Sequence, residues 1–201
     1  MKKNTILLGM AAIALTLGSC GSNASEASGA DSVASADSSA STYTIDAATS
    51  NVVWFGTHTV GTGDHNGTIN ITEGSLSVAG GNITAGSFVI DMASIKCTDS
   101  LPAEYLTKLH GHLSAEDFFN TAKYPTAKFE ITACEVAGHE TQIGDKTNTH
   151  FISGNLTIKD STKNISFPAK VTVGESVTAT GKVVINRLDW GINYDKENMT
   201  L

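Results

Sequence analysis

Ile165-Ser166-Phe167-Pro168-Ala169-Lys170-Val171-Thr172-Val173 carries an apolar side chain at every second position. Successive side chains of an extended backbone point to opposite faces, so this spacing produces one dry face and one wet face, the mark of a half-buried strand. The same period returns up and down the chain. Phe88, Ile90 and Met92 share a face against Ser87 and Asp91, and Phe129 and Ile131 share one against Lys128, Glu130 and Thr132. Ile152, Leu156 and Ile158 alternate with Ser153, Asn155 and Thr157, while Val183 and Ile185 close the series with Lys182 and Asn186 facing away. Residues 43–58, 67–72 and 75–78 follow the pattern more loosely.

A sheet with one dry face must cover it with helices, with a second sheet or with itself. Helical spacing is confined to about residues 101–122, where Leu101, Tyr105, Leu106, Leu109 and Leu113 line up and Gly111 divides the segment. One broken helix cannot cover roughly six to eight strands, which leaves a sandwich or a closed barrel, and meandering strands on short turns favour the barrel. The expected fold is therefore all-β, an antiparallel barrel with one short helical segment over an end. The lumen of such a barrel is either filled by side chains or holds one small ligand. Inward positions rich in Ile, Val, Ala and Leu lean toward open space.

Lys2 and Lys3 precede an apolar run from Ile6 to Leu17 that is too short to span a bilayer, which predicts an export signal over residues 1–19. Leu17-Gly18-Ser19-Cys20 resembles the lipobox of bacterial lipoproteins, so Cys20 is expected to be cleaved free and acylated. Residues 20–41 are almost wholly Ser, Ala, Gly, Asp and Asn after the cysteine, and predict a disordered tether with a reach of roughly 25 Å. Residues 42–201 are one domain by length. The expected location is the bacterial cell envelope, lipid-anchored, on the periplasmic side or at the outer membrane. A formal charge of −7 without a basic cluster argues against nucleic acid or an anionic membrane surface as partner. Cys97 and Cys134 are expected to stay unpaired, because antiparallel pairing of their strands separates the sulfurs by about 20 Å.

Leu113-Ser114-Ala115-Glu116-Asp117-Phe118-Phe119-Asn120-Thr121-Ala122-Lys123-Tyr124-Pro125, followed by Ala127-Lys128-Phe129, resembles the signature of the YceI-like family. Tyr43-Thr44-Ile45-Asp46, Trp54-x-x-x-His58, Gly154-Asn155-Leu156-Thr157-Ile158 with Thr162-Lys163, and Ile185-Asn186-Arg187-Leu188-Asp189-Trp190-Gly191 agree with it. The resemblance implies a lipocalin-like barrel, exported, whose lumen holds a polyisoprenoid such as the tail of an isoprenoid quinone, in proteins not known as enzymes. Two departures stand out. Residues 61–67 are richer in glycine than the usual connection, and the chain ends at Leu201 while Met199 and Leu201 still alternate, where the resemblance implies at least one more strand. An incomplete C-terminus and an open barrel edge are therefore expected.

Ser114 and Asp117 have the spacing of a capping box, and adjacent Glu116 and Asp117 cannot oppose one another across a substrate as acid and base. Phe118 and Phe119 then belong to a short helix that plugs a barrel end. His110 and His112 do not share a helix face and have no third ligand at a completing spacing, so no metal is expected there. His65, His139 and His150 sit in polar, loop-like sequence. The expected ligand-lining set is Trp54 and His58 on the first strand, Phe88, Ile90, Met92, Phe118, Phe119, Phe129 and Ile131 through the middle, and Leu156, Ile158, Phe167, Val171, Val183, Ile185 and Arg187 beyond. Arg187 and Asp189 are read as a structural ion pair or turn anchor, with headgroup contact the lesser reading. Two rival functions stay open: a solid barrel serving as scaffold for a protein partner, and an enzyme acting on a lipid diphosphate through His58, His112, Asp117 or Arg187. The second lacks a nucleophile-base pair, a phosphate loop or a metal motif.

Overall fold

A computed structural model describes residues 26–56, 64–137 and 147–194. The expected signal segment, Cys20, His58, His139, Met199 and Leu201 lie outside the described residues. Among the described residues nine strands form one antiparallel sheet: β1 (Ser28–Gly29), β2 (Ser41–Thr44), β3 (Asn51–Gly56), β4 (His65–Ala79), β5 (Asn82–Cys97), β6 (Thr126–Val136), β7 (His150–Ile158), β8 (Ser161–Val173) and β9 (Val177–Gly181). Helix α1 (Ala103–Ser114) interrupts the series after β5, and a 3-10 turn, Arg187–Trp190, follows it. The spine is the meander β4-β5-β6-β7-β8. Tight turns enforce it: Gly80 and Gly81, at φ 57° and 83°, supply the two left-handed residues that a two-residue hairpin between β4 and β5 demands. Among the described residues no helix is long and apolar enough to cross a membrane.

Among the described residues the sheet curls without closing its ladder. β2 and β3 share one edge through β4, and β1 and β9 share the other through β8. The edges are joined instead by a side chain, since the Tyr43 hydroxyl donates to the Gly174 carbonyl at 3.2 Å. Alternation places two apolar clusters on the inner face. The first contains Ile69, Met92, Ile95, Leu113, Ala127, Ile158, Ile165, Trp190 and Ile192; the second contains Val78, Ile83, Ile131, Ile152, Ala169 and Val171. Phe129 and Phe167 pack on both clusters, with ring centroids 5.8 Å apart.

Several expectations need correction. The first long strand is two, β2 and β3, because the Asp46 carboxylate accepts from the Ala48 amide at 3.0 Å and its carbonyl from Thr49 at 3.2 Å, which folds a turn into the run. Residues 67–72 and 75–78 are one strand, β4, whose period slips at bulges between Thr68 and Asn70, Ile71 and Glu73, and Ser77 and Val78. Helix α1 runs unbroken through Gly111 and stops at Ser114. Val183 and Ile185 lie outside any strand, although both pack on the first cluster: they keep the alternation of a strand but have no ladder partner among the described residues.

The described part of the expected tether lies on the sheet. β1 pairs with β8 at Asn164 and Lys163, the Asn155 side chain grips the Asp31 backbone through both N–H and C=O at 2.9 and 2.7 Å, and the Ala34 amide donates to the Ile131 carbonyl at 2.9 Å. Asp37 then reaches Thr84, and β2 pairs with β4. Asp31, Ala34 and Asp37 thus dock in turn on β7, β6 and β5, while Ala27 packs against the first cluster. Backbone groups docked on polar strand positions supply what composition alone withholds.

Candidate functional site

Between the two clusters the inner faces of β5 to β8 present Phe88, Ile90, Phe129, Leu156 and Phe167, all half-buried. Their rings do not stand upright into the interior. Phe88 lies over Gly74, Phe129 over Gly154 and Phe167 over Gly181, so closely that a Cβ on those glycines would come within 2.6, 2.3 and 2.7 Å of the ring. Each ring therefore lines the wall in the space that a side chain on the neighbouring strand would take. The result is a continuous apolar inner face, here called the trough. Met92 and Ile158 form its wall in the first cluster, and Ile131 and Val171 in the second; all four are buried.

Trp190 and its turn pack one end of this face. Trp190 is 1% exposed and its indole N–H donates to the Leu156 carbonyl at 2.9 Å, while Arg187 Nη1 donates to the Ile192 carbonyl at 2.6 Å and fixes the turn that carries the ring. Arg187 is thus on a 3-10 turn, off the strand face where the spacing had placed it with Asp189. Phe118 and Phe119 meet edge to face at 4.9 Å and pack on the first cluster. They ride on a turn, not a helix: Asn120, at φ 48°, donates to the Ala115 carbonyl and Thr121 donates to that of Ser114. Ser114 consequently ends a helix where a capping box had been expected to begin one, and Asp117 Oδ2 lies 3.9 Å from His112 Nε2. His112 itself packs against Phe118 and Tyr194, with centroids at 5.8 and 4.0 Å.

Trp54 covers Gly67 and donates to the Lys96 carbonyl at 3.2 Å, which holds it against the first cluster. Of the expected lining residues, the structure gathers Phe88, Ile90, Met92, Phe129, Ile131, Leu156, Ile158, Phe167 and Val171 on one surface, and Val183 and Ile185 beside it. His58 lies outside the described residues. Sequence reasoning missed Trp190, Ile192 and Ile95, all at 2% exposure or less. For Trp190 the signal was present, since it falls inside the Ile185–Gly191 motif.

Two grooves open on the outside. One, of about 310 Å³, is lined by Lys96, Cys97, Leu106, Thr107 and His110; the other, of about 290 Å³, by Glu73, Gly74, Ser75, Ser87 and Val89. Beside the first, His65 Nδ1 and Cys97 Sγ both approach Asp99 Oδ2, at 2.7 and 3.1 Å. The His65 hydrogen bond, and then that from Cys97, holds the Asp99 carboxyl below its ordinary range, whereas burial, with the Asp99 charge adding to it, pushes the Cys97 thiol up. Burial also raises the Cys134 thiol, and both cysteines are free. His65 opens β4 and is not a loop residue. Its convergence with Cys97 was invisible because only strand pairing brings the two together.

The YceI-like domain model matches residues 43–201. The UPF0312 protein of Shewanella denitrificans is 28% identical over 138 residues, and the match spans 64% of this chain and 64% of that curated relative's length. Among solved structures, Burkholderia cenocepacia BcnA superposes with a TM-score of 0.55 at 21% identity, covering 78% of this chain and 89% of BcnA, and shares the barrel fold. The YceI protein of Campylobacter jejuni gives 0.49 at 20% identity over 79% and 90% of the two chains.

Proposed function

The chain belongs to the YceI-like family, whose members are lipid-binding barrels rather than enzymes, and from that premise we propose that its trough holds one long isoprenoid chain, such as the tail of an isoprenoid quinone, for storage, transport or protection at the bacterial cell envelope. The observation that carries this reading is the set of rings laid over Gly74, Gly154 and Gly181, which keeps apolar surface half-exposed along the inner face. Burying that surface against an apolar chain stabilises the complex by about 25 cal/mol per Å² before ordering costs. No charged side chain is among Phe88, Ile90, Phe129, Leu156 and Phe167, so selection acts on length and apolarity before headgroup.

In this reading a lipid on Cys20 anchors the domain. Five residues separate it from Glu26, the first described residue, a span of about 20 Å at most when extended. The test is mass spectrometry of organic extracts from natively purified full chain. One isoprenoid lipid near equimolar ratio is expected; repeated absence of lipid, together with no tryptophan fluorescence response to an added isoprenoid quinone, sinks the proposal.

A protein scaffold is the second reading, favoured by Phe55 and Val53, which are 71% and 55% exposed on the edge strand β3. Phe55→Ser should leave the lipid content of the purified protein unchanged if the trough alone holds the ligand.

A further inference from the structure

His65 opens β4, Cys97 closes β5 and Asp99 follows two residues later. Antiparallel pairing sets Gly67 opposite Cys97, and the strands approach so closely there that a Cβ on Gly67 would lie 1.7 Å from the Lys96 carbonyl oxygen. The close approach draws the three side chains together, and their donor atoms all lie within 4.8 Å of one another. The carboxylate is held from behind. Asp99 Oδ1 accepts from the Asn66 amide at 3.1 Å and from the Asn66 side chain, which in turn accepts from the Thr98 hydroxyl at 2.7 Å. One carboxylate oxygen is thereby fixed, and the other is turned toward the imidazole and the thiol. Outer partners that orient a ligating group in this way are a regular part of metal sites.

We propose that His65 Nδ1, Cys97 Sγ and Asp99 Oδ2 bind one divalent transition-metal ion of the zinc class. A thiolate, an imidazole and a carboxylate suit zinc and its borderline neighbours; magnesium and calcium require oxygen ligands. On binding, the thiol proton leaves to solvent and the neutral imidazole keeps its proton on Nε2, so two ligand charges balance the ion. Three protein ligands leave a fourth position for water or an outside ligand, and Cys97 lines the 310 Å³ groove through which solvent reaches it. Tetrahedral bonds to zinc hold neighbouring ligand atoms roughly 3.3–3.6 Å apart. The contacts at 2.7 and 3.1 Å need lengthen by only about half an ångström or so, which a side-chain rotation achieves. Cys134 serves as the contrast: its thiol is free, and among the described residues no such group gathers around it.

The test uses the untagged full chain, stripped with chelator and titrated with cobalt(II) and then zinc(II). A saturable equimolar cobalt complex with a thiolate-to-cobalt charge-transfer band, displaced by zinc, is expected. Zinc should protect Cys97 from iodoacetamide while leaving Cys134 as reactive as before, as mapped by mass spectrometry. Cys97→Ser should abolish the band and Asp99→Asn should weaken zinc roughly tenfold or more, with far-UV circular dichroism reporting that each variant folds. Cys134→Ser should keep the band. No saturable binding, a band that survives Cys97→Ser, or alkylation of Cys97 indifferent to zinc overturns the proposal. The protection measurement on the unaltered chain decides the matter by itself where a variant fails to fold.

Discussion

The two ends of the inner face are held together by different means. At the first, Leu113 from α1, Phe118 and Phe119 from the following turn, and Trp190 and Ile192 around the 3-10 turn all descend onto the sheet. At the second, every buried member of the cluster belongs to a strand, and the two sheet edges are tied by the Tyr43 to Gly174 hydrogen bond. Packing holds one end, and at the other a single hydrogen bond acts as a latch between the sheet edges. A buried tryptophan is held by several kcal/mol, a single hydrogen bond by about 1, so the lipid proposed for this face should exchange through the latched end.

The sharpest way to break this contrast is Trp190→Ala. It empties the sealed end and removes the indole donor from the Leu156 carbonyl, and should cost about 3–5 kcal/mol in urea unfolding. Ile131→Ala at the latched end removes a side chain only 2% exposed and should cost about 2–4 kcal/mol. Equal costs at the two ends would erase the distinction. Gly154→Ala comes next: with the Phe129 ring 2.3 Å from the new methyl, it should cost about 1–3 kcal/mol and tilt the ring into the trough, lowering the lipid recovered on purification.

His150 lies at the latched end, 8% exposed, with its pKa held below the ordinary 6.5 by burial. The unfolded chain takes up the proton first, so stability is full above about 6.5 and falls as pH drops through the lower folded value. His150→Gln should flatten that slope in denaturation midpoints measured from pH 7 down to 5. The smallest effect belongs to Tyr43→Phe, about 1 kcal/mol or less, yet it should speed amide exchange along β2 and β9 while α1 is unmoved.

The same division separates what the sequence made legible from what it did not. The strand-built end could be read directly: Ile131, Ile152, Ala169 and Val171 follow the two-residue period of β6, β7 and β8, and a strand's pleat imposes that period wherever one face is dry. The sealed end could be read only in part: Phe118 and Phe119 were expected over a barrel end and pack there, though on a turn and not a helix. Trp190 and Ile192 reach the core through a turn set by a 2.6 Å bond from Arg187 to a backbone carbonyl, and such a bond leaves no period behind. Ser114 and Asp117 misled for a related reason, since a hydroxyl and a carboxylate three apart suit a helix start on local grounds and the chain turned the other way. β4 was cut in two because its bulges shift the phase of the alternation. His65, Cys97 and Asp99 were hidden by pairing across a hairpin, which spacing along the chain does not encode.

Asn155 grips the backbone of Asp31 from 124 residues away, and that distance orders events in time. The pair cannot form until β6, β7 and β8 stand side by side, because the grip and the Ile131 carbonyl that follows it belong to a surface the nascent chain does not yet possess. Loop closure on that scale is slow and comes late in folding. What arrives last is also released first, so a protease added under native conditions should find its earliest cut near Val33, while the meander behind it is still whole.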